Sequence, residues 1–484
     1  MVHMTSSLST ATELTLAALG RSWRHDFARI SLTHGWLPAL VQGLAAVVLV
    51  LALGWRTPRW RRVGLPVAVV GGVSLGAWAH WYVGSAGLAG DPAPATLWLW
   101  IAATGLSAVA AVVGWRGSAW RRRALSVLAV PSALLCAALV LNLWVGYLPT
   151  VGTAWNELTA GPLPNQTDRA TVSAMQLAGT VPAKGVVVPV DISSRASNFA
   201  HRRELVYLPP AWFAVNPPPR LPAVMMIGAE FNSPSDWLRA GDAITAIDGL
   251  AAAHHGFAPV FVFVDSGGGF NVDTECVNGS RGNAADHLTK DVVPFLSSDF
   301  GVSAVKSNWG VVGFSAGGTC AIDLAAMHPD MFGGFVDIAG DLGPNSGTKE
   351  QTVTRLFGGD TAAWNRFDPT TVIARHPVYQ GLSGLFVTSG APVDGHGNAS
   401  AADNTQRTAA NSLCALGRSR GIGCAVVAEP GRHDWPFAGR AFASALPWLA
   451  GQLQTPGVPR IPLPAPTAAL AASALAGPPL QRPR

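Results

Sequence analysis

The chain has 484 residues, a net charge of +5, 49% hydrophobic residues and only 13% charged ones. That length exceeds one compact domain, and charge so far below the roughly 25% of soluble domains points to a segment that lives in lipid. The small positive excess is mostly arginine clustered beside apolar runs, which reads as membrane topology and excludes a nucleic-acid-binding face.

Residues 1–35 form an N-terminal segment, followed by four apolar stretches at roughly 36–55, 63–83, 95–115 and 124–147. Each holds about 20 residues, enough at 1.5 Å per residue to span the ~30 Å hydrocarbon core. No acidic or basic side chain interrupts them, and Trp36, Trp55, Trp81, Tyr82, Trp98, Trp115 and Tyr147 stand at their ends, where amphipathic rings favour the interface. The first connection carries Arg56, Arg59, Arg61 and Arg62, and the third carries Arg116, Arg121, Arg122 and Arg123. The positive-inside bias makes these two connections cytoplasmic and sends residues after the fourth span outside. Arg21, Arg24 and Arg29 would then also lie outside, outweighed by the eight. The absence of ionisable groups within the spans argues for an anchor and against a transporter. Cys136 lies in the fourth stretch as a lipid-facing or packing residue.

Residues 148–180 read as a linker and 181–453 as one domain. Strands are expected at 186–192, 204–208, 222–227, 259–264, 309–314, 334–338, 384–388 and 424–428. Helices are expected near 236–253, 284–298, 316–328, 404–420 and 436–450. This alternation predicts an α/β fold with a mostly parallel sheet and helices on both faces. The first two strands have no helix between them, which predicts an antiparallel edge. Residues 454–484, rich in Pro and Ala without periodicity, read as a disordered tail.

Within this domain, Gly313-Phe314-Ser315-Ala316-Gly317 follows an apolar strand and opens a helix of small residues. That is the strand–turn–helix context of a nucleophile elbow, where tight backbone demands small neighbours of the serine and the helix N-terminus faces an oxyanion. A serine hydroxyl needs a base. In the order Ser, acid, His, the base is His433, on the loop after the last strand, with His376 and His396 as rivals. The acid must follow strand 384–388, which leaves Asp394 and Asp403. The oxyanion donors would be the N–H of Ala316 and one from Gly228, Ala229 or Glu230 after the strand ending at Ile227. No metal-ligand or cofactor motif is present, so neither is expected.

Residues 180–452 resemble the esterase family of α/β hydrolases that includes esterase D-like enzymes, feruloyl esterases and actinobacterial mycolyltransferases. The resemblance lies in GFSAGGTCAIDLAAMHPDMF, GRHDW, IGAEF and ECVNGSRGNAADHLTKDVVPFL. The four-span region looks like the anchors of some actinobacterial relatives. The resemblance implies an α/β-hydrolase domain, Asp403 as the triad acid, Ala229 as the second oxyanion donor, and Trp435 and Glu230 in the substrate pocket. Mycolyltransferases hold trehalose with an aspartate and an arginine where this chain has Ile227 and Glu230, so hydrolysis or another acceptor is implied. The expected function is a membrane-anchored, extracytoplasmic serine esterase. The alternatives are an acyltransferase to an envelope sugar or lipid hydroxyl, or a non-catalytic surface protein. Its expected partners are an acyl-ester or lipid substrate and the bilayer. Exterior placement permits disulfides, with Cys414–Cys424 and Cys276–Cys320 as the expected pairs.

Overall fold

The structure is a computed structural model. It describes residues 28–54, 57–86, 93–115, 118–159, 161–231, 233–269, 272–390 and 401–464, with the backbone alone at 401–404. The chain divides into two compact units, Met1–Pro162 and Leu163–Arg484.

The first unit contains α1 (Trp36–Leu53), α2 (Leu65–Ala86, led by a π turn at Trp60–Gly64), α3 (Ala95–Val113) and α4 (Trp120–Val145). Four helices are thus long and apolar enough to cross a membrane. Helix α3 packs on α2 and α4, and α4 packs on α1. The shared core takes Ala45, Trp100, Ala133 and Cys136, and Cys136, fully buried, is a packing residue. The outward faces keep large apolar side chains exposed, such as Leu44, Val50, Leu99 and Val112. In water such a surface would be a liability, whereas lipid covers it without cost.

The second unit is built on an eight-stranded sheet: β1 (Val186–Val190), β2 (Glu204–Leu208), β3 (Ala223–Ile227), β4 (Val260–Phe263), β5 (Trp309–Phe314), β6 (Gly334–Ile338), β7 (Ser383–Ser389) and β8 (Gly423–Glu429). The spatial order is β1-β2-β4-β3-β5-β6-β7-β8. Strand β2 is antiparallel to β1 and β4, and every other pairing is parallel. The antiparallel edge and the parallel remainder agree with the sequence pattern. Central strands β3, β4 and β5 are buried along their whole length. Two-sided burial explains their continuous apolar runs.

Residues read as a linker contain two helices, α5 (Val151–Leu158) and α6 (Arg169–Leu177). Thr150 and Asp168 cap them, which is the signal the polar composition hid. Around Gln166 the chain also pairs with Val187, covering the open edge of β1. The expected helix at 236–253 breaks into Asp236–Arg239 and α7 (Ala243–Ala253), because Gly241 and a left-handed Asp242 interrupt it. Three short helices between β6 and β7, Lys349–Phe357, Thr361–Asn365 and Pro369–Arg375, had no expectation. Residues 454–464 do not dangle: Thr455 is buried, and Gln452 donates to the Ile461 carbonyl. The rest of the expected tail, 465–484, lies outside the described residues.

Candidate active site

Strand β5 delivers Ser315 to α8 (Ala316–Met327) at φ 58° and ψ −123°. A non-glycine residue in that region costs of order 1–3 kcal/mol. The bend is held by Ser315 N–H donating to the Ile338 carbonyl at 2.9 Å and by Gly318 N–H donating to the Ser315 carbonyl at 2.8 Å. The two flanking glycines are required by close approach. A Cβ on Gly313 would strike the Gly317 carbonyl, and one on Gly317 would strike the carbonyls of Gly228 and Ile227. The second contact brings the loop after β3 against the start of α8.

His433 lies between β8 and α10 (Trp435–Gln452), where the Asp434 carboxylate accepts from Phe437 N–H at 2.9 Å and fixes the chain's entry into the helix. Its Nε2 stands 2.9 Å from Ser315 Oγ, across 118 positions of sequence. The imidazole packs on Phe314, ring centroids 4.8 Å apart. Burial pushes its pKa down to about 4, so the ring is neutral near pH 7 and able to accept a proton.

Among the described residues, the group against His433 Nδ1 is the Gln406 amide, with Oε1 at 3.2 Å and Nε2 at 2.9 Å. For His433 Nε2 to carry the lone pair, Nδ1–H must donate to Oε1. Gln406 lies on α9 (Ala401–Ser419) and is buried. The backbone of Asp403 stands one turn earlier on that helix, while its side chain and the whole of Asp394 and His396 lie outside the described residues. Gln406 was missed by sequence reasoning, although its i+3 spacing from Asp403 was a usable signal. His376, the other rival base, packs on Tyr379 at 4.0 Å before β7 begins. The strands are parallel, so that position is at the opposite rim of the sheet from Ser315.

Ala229 and Ala316 line one small polar cavity with Glu230, Asp273 and Glu275. Neither the Ala229 nor the Ala316 N–H donates to another group among the described residues. Trp237 Nε1–H donates to the Ile227 carbonyl at 3.0 Å and steadies the loop carrying Ala229. Burial raises the pKa of Asp273, and burial together with Asp273 holds Glu275 well above the usual carboxylate range. Trp435, expected in the substrate pocket, is among the buried residues. Trp435 is 3% exposed, wedged edge-on between Trp237 and Phe314, and it supports the nucleophile strand from behind.

Both expected disulfides are formed, with Cα–Cα distances of 5.7 Å for Cys276–Cys320 and 5.8 Å for Cys414–Cys424. The first ties the acidic wall of the cavity to the nucleophile helix. The second ties the helix of Gln406 to the strand that leads to His433.

A strand order of this kind, with a strained serine after β5 and a hydrogen-bonded histidine after β8, defines an α/β hydrolase of the serine type. Residues 200–449, just over half the chain, match the family model described as "Putative esterase". The chain belongs to this esterase family. It is 27% identical over 344 residues to an uncharacterized protein of Corynebacterium glutamicum, covering 68% of this chain and 76% of that one. It is 29% identical over 112 residues to the MPT51 antigen of Mycobacterium leprae, covering 23% of this chain and 34% of that one. Among solved structures, a ferulic acid esterase aligns with a TM-score of 0.45 at 15% identity, covering 56% of this chain and 99% of that one.

Proposed function

We propose that the protein is a membrane-anchored, extracytoplasmic serine esterase in which Ser315 is the nucleophile and His433 the base. The observation that carries the reading is the 2.9 Å hydrogen bond between Ser315 Oγ and His433 Nε2. His433 takes the hydroxyl proton as Oγ attacks the ester carbonyl, and the N–H groups of Ala316 and Ala229 receive the oxyanion. Collapse of the tetrahedral adduct expels the alcohol, protonated by His433, and leaves an acyl-Ser315. Water then repeats the sequence and frees the acid. Gln406 fills the third place of the triad, orienting the imidazole as an asparagine does in cysteine–histidine–asparagine enzymes. Asp403, one turn away, is the carboxylate that the family pattern puts there.

The exterior side is supported by the eight arginines in the first and third connections and by two disulfides, which persist in oxidising surroundings. Transfer of the acyl group to a sugar or lipid hydroxyl is the second reading. It is favoured by the four apolar helices, which keep the enzyme at a lipid surface. The test is a burst assay on the full chain in detergent with p-nitrophenyl esters of increasing chain length. Wild type releases a stoichiometric burst and Ser315→Ala releases none. An undiminished burst from the variant would remove Ser315 from the mechanism. Adding a polyol or lipid alcohol and finding the acylated acceptor would favour transfer over hydrolysis.

A further inference from the structure

Outside the hydrolase site, four chemistry-bearing side chains converge beneath the antiparallel edge of the sheet. Glu204 is the first residue of β2, and His201 precedes it by three positions. His287 opens the π turn His287–Val292, and Asp291 stands one turn further along. The Glu204 and His287 side chains are 0% exposed, Asp291 is 4% exposed and His201 10%. One nitrogen of each imidazole and one carboxylate oxygen of Glu204 lie within 4.8 Å of one another.

The contacts form a graded arrangement. His287 Nε2 is 2.9 Å from Glu204 Oε1, and His201 Nδ1, hydrogen-bonded to the Arg202 carbonyl at 2.9 Å, is 3.6 Å from Glu204 Oε2. That Oε2 is buried with no hydrogen-bond partner among the described residues. A buried, unpartnered carboxylate oxygen is costly, and it needs an occupant. On its other side, His287 Nδ1 is 3.3 Å from Asp291 Oδ2. Asp291 is itself fixed by the N–H groups of Ala196 and Ser197. A carboxylate behind one ring nitrogen of a histidine is the outer-shell arrangement of metal-bound imidazoles, whose other nitrogen, here 2.9 Å from Glu204 Oε1, exchanges its proton for the ion. The neighbouring Asp265 does not compete, because Arg202 neutralises it at 2.6 Å.

We propose that His201, Glu204 and His287 bind a zinc ion, with Asp291 as the carboxylate behind His287. Two imidazoles and one carboxylate form a zinc donor set, and the fourth position, on the partly exposed His201 side, is left for water. Hard cations such as calcium and magnesium require more oxygen ligands than this site offers. Zinc with the Glu204 and Asp291 carboxylates gives a locally neutral site, and its binding displaces the proton that otherwise bridges His287 Nε2 and Glu204. Tetrahedral bonds of about 2.0–2.2 Å bring donors to roughly 3.4 Å apart, so His201 would have to release the Arg202 carbonyl and turn from its stack on His287 to face the ion. The ion would pin the start of β2 to the helical segment 284–299.

The test uses the full chain in detergent, purified without chelators or a polyhistidine tag, with zinc counted by mass spectrometry of the elements. Wild type is expected to hold stoichiometric zinc after exposure to equimolar zinc chloride and removal of the excess. Ser315→Ala should hold the same amount. His201→Ala, at a partly exposed position, should fold with an unchanged circular dichroism spectrum and lose the ion. Asp291→Asn should weaken zinc affinity about 10- to 100-fold. Chelation should lower the melting temperature of wild type but not of His201→Ala, and zinc but not magnesium should restore it. Zinc bound equally by wild type and His201→Ala, or none bound by wild type with no melting shift, would overturn the proposal and leave a proton as the occupant.

Discussion

Replacing Gln406 by glutamate would put a carboxylate against His433 Nδ1 where a neutral amide now lies at about 3 Å. In the wild type, burial holds His433 down at about 4, with no carboxylate against it among the described residues. A catalytic base works only when neutral, so wild-type kcat/KM should fall on the acid side through a limb near pH 4 and be flat from pH 6 to 8. An opposite charge in contact typically raises such a pKa by about 1–3 units. The limb in Gln406→Glu should therefore move up to between about 5 and 7. With a limb near 6, activity at pH 5 falls roughly tenfold because one ring in about ten remains neutral. At pH 8 the ring is neutral in both forms, and the carboxylate supports the developing imidazolium, so kcat should hold or rise. Gln406→Ala should lose about 10²-fold in kcat at all pH values by freeing the ring, whereas Asp403→Asn should leave the limb in place. The assay is the pH profile of kcat/KM on a p-nitrophenyl ester. A wild-type limb at or above 6.5 that drops in Asp403→Asn, with Gln406→Glu silent, would refute the reasoning and return the third place to Asp403.

Ser315→Gly removes the penalty of a side chain at φ 58°, whereas Ser315→Ala keeps it. Both should be inactive, but the glycine variant should be more stable by about 1 kcal/mol in denaturant titration. Gly317→Ala drives a methyl into the Gly228 carbonyl, so it should cost upwards of about 3 kcal/mol or prevent folding, read as a fallen midpoint of unfolding. Reduction should destabilise the hydrolase unit: loop closure gives about 4 kcal/mol for the 44-residue Cys276–Cys320 separation and about 3 for the 10-residue Cys414–Cys424 one. Unchanged melting in dithiothreitol, with thiols shown to be free, would contradict this. An alkaline phosphatase fused after residue 150 should be active, and a cytoplasmic reporter at the same point inactive.

The elements legible in the sequence were those specified by local physics. Central strands such as Ala223–Ile227 and Trp309–Phe314 read as apolar runs because both faces of the sheet are covered. Ser315 stood out because its bend tolerates only glycine at 313 and 317, and the sequence supplies both. The apolar helices of the first unit needed nothing beyond their length. Errors came where polar composition concealed a cap, as at Thr150 and Asp168, or where one residue broke a helix, as at Asp242.

What could not be read were contacts between groups far apart in the chain. The packing of Trp435, which the family resemblance placed in the pocket, was one such contact: α10 sets its ring edge-on against Trp237 and Phe314. Gln406 offered no charge to attract notice, yet the turn of α9 beyond Asp403 brings its amide to the imidazole 27 positions on. The same holds for the buried cluster under β2. Its donors come from 201–204 and 287–291, which share no motif spacing, and only the packing of these two segments against each other brings them together. Local sequence therefore supplied the nucleophile's bend. The imidazole's orientation, and the histidine–carboxylate cluster at the sheet edge, are properties of the packed fold, so substitutions on α9 and β2 test them independently of Ser315.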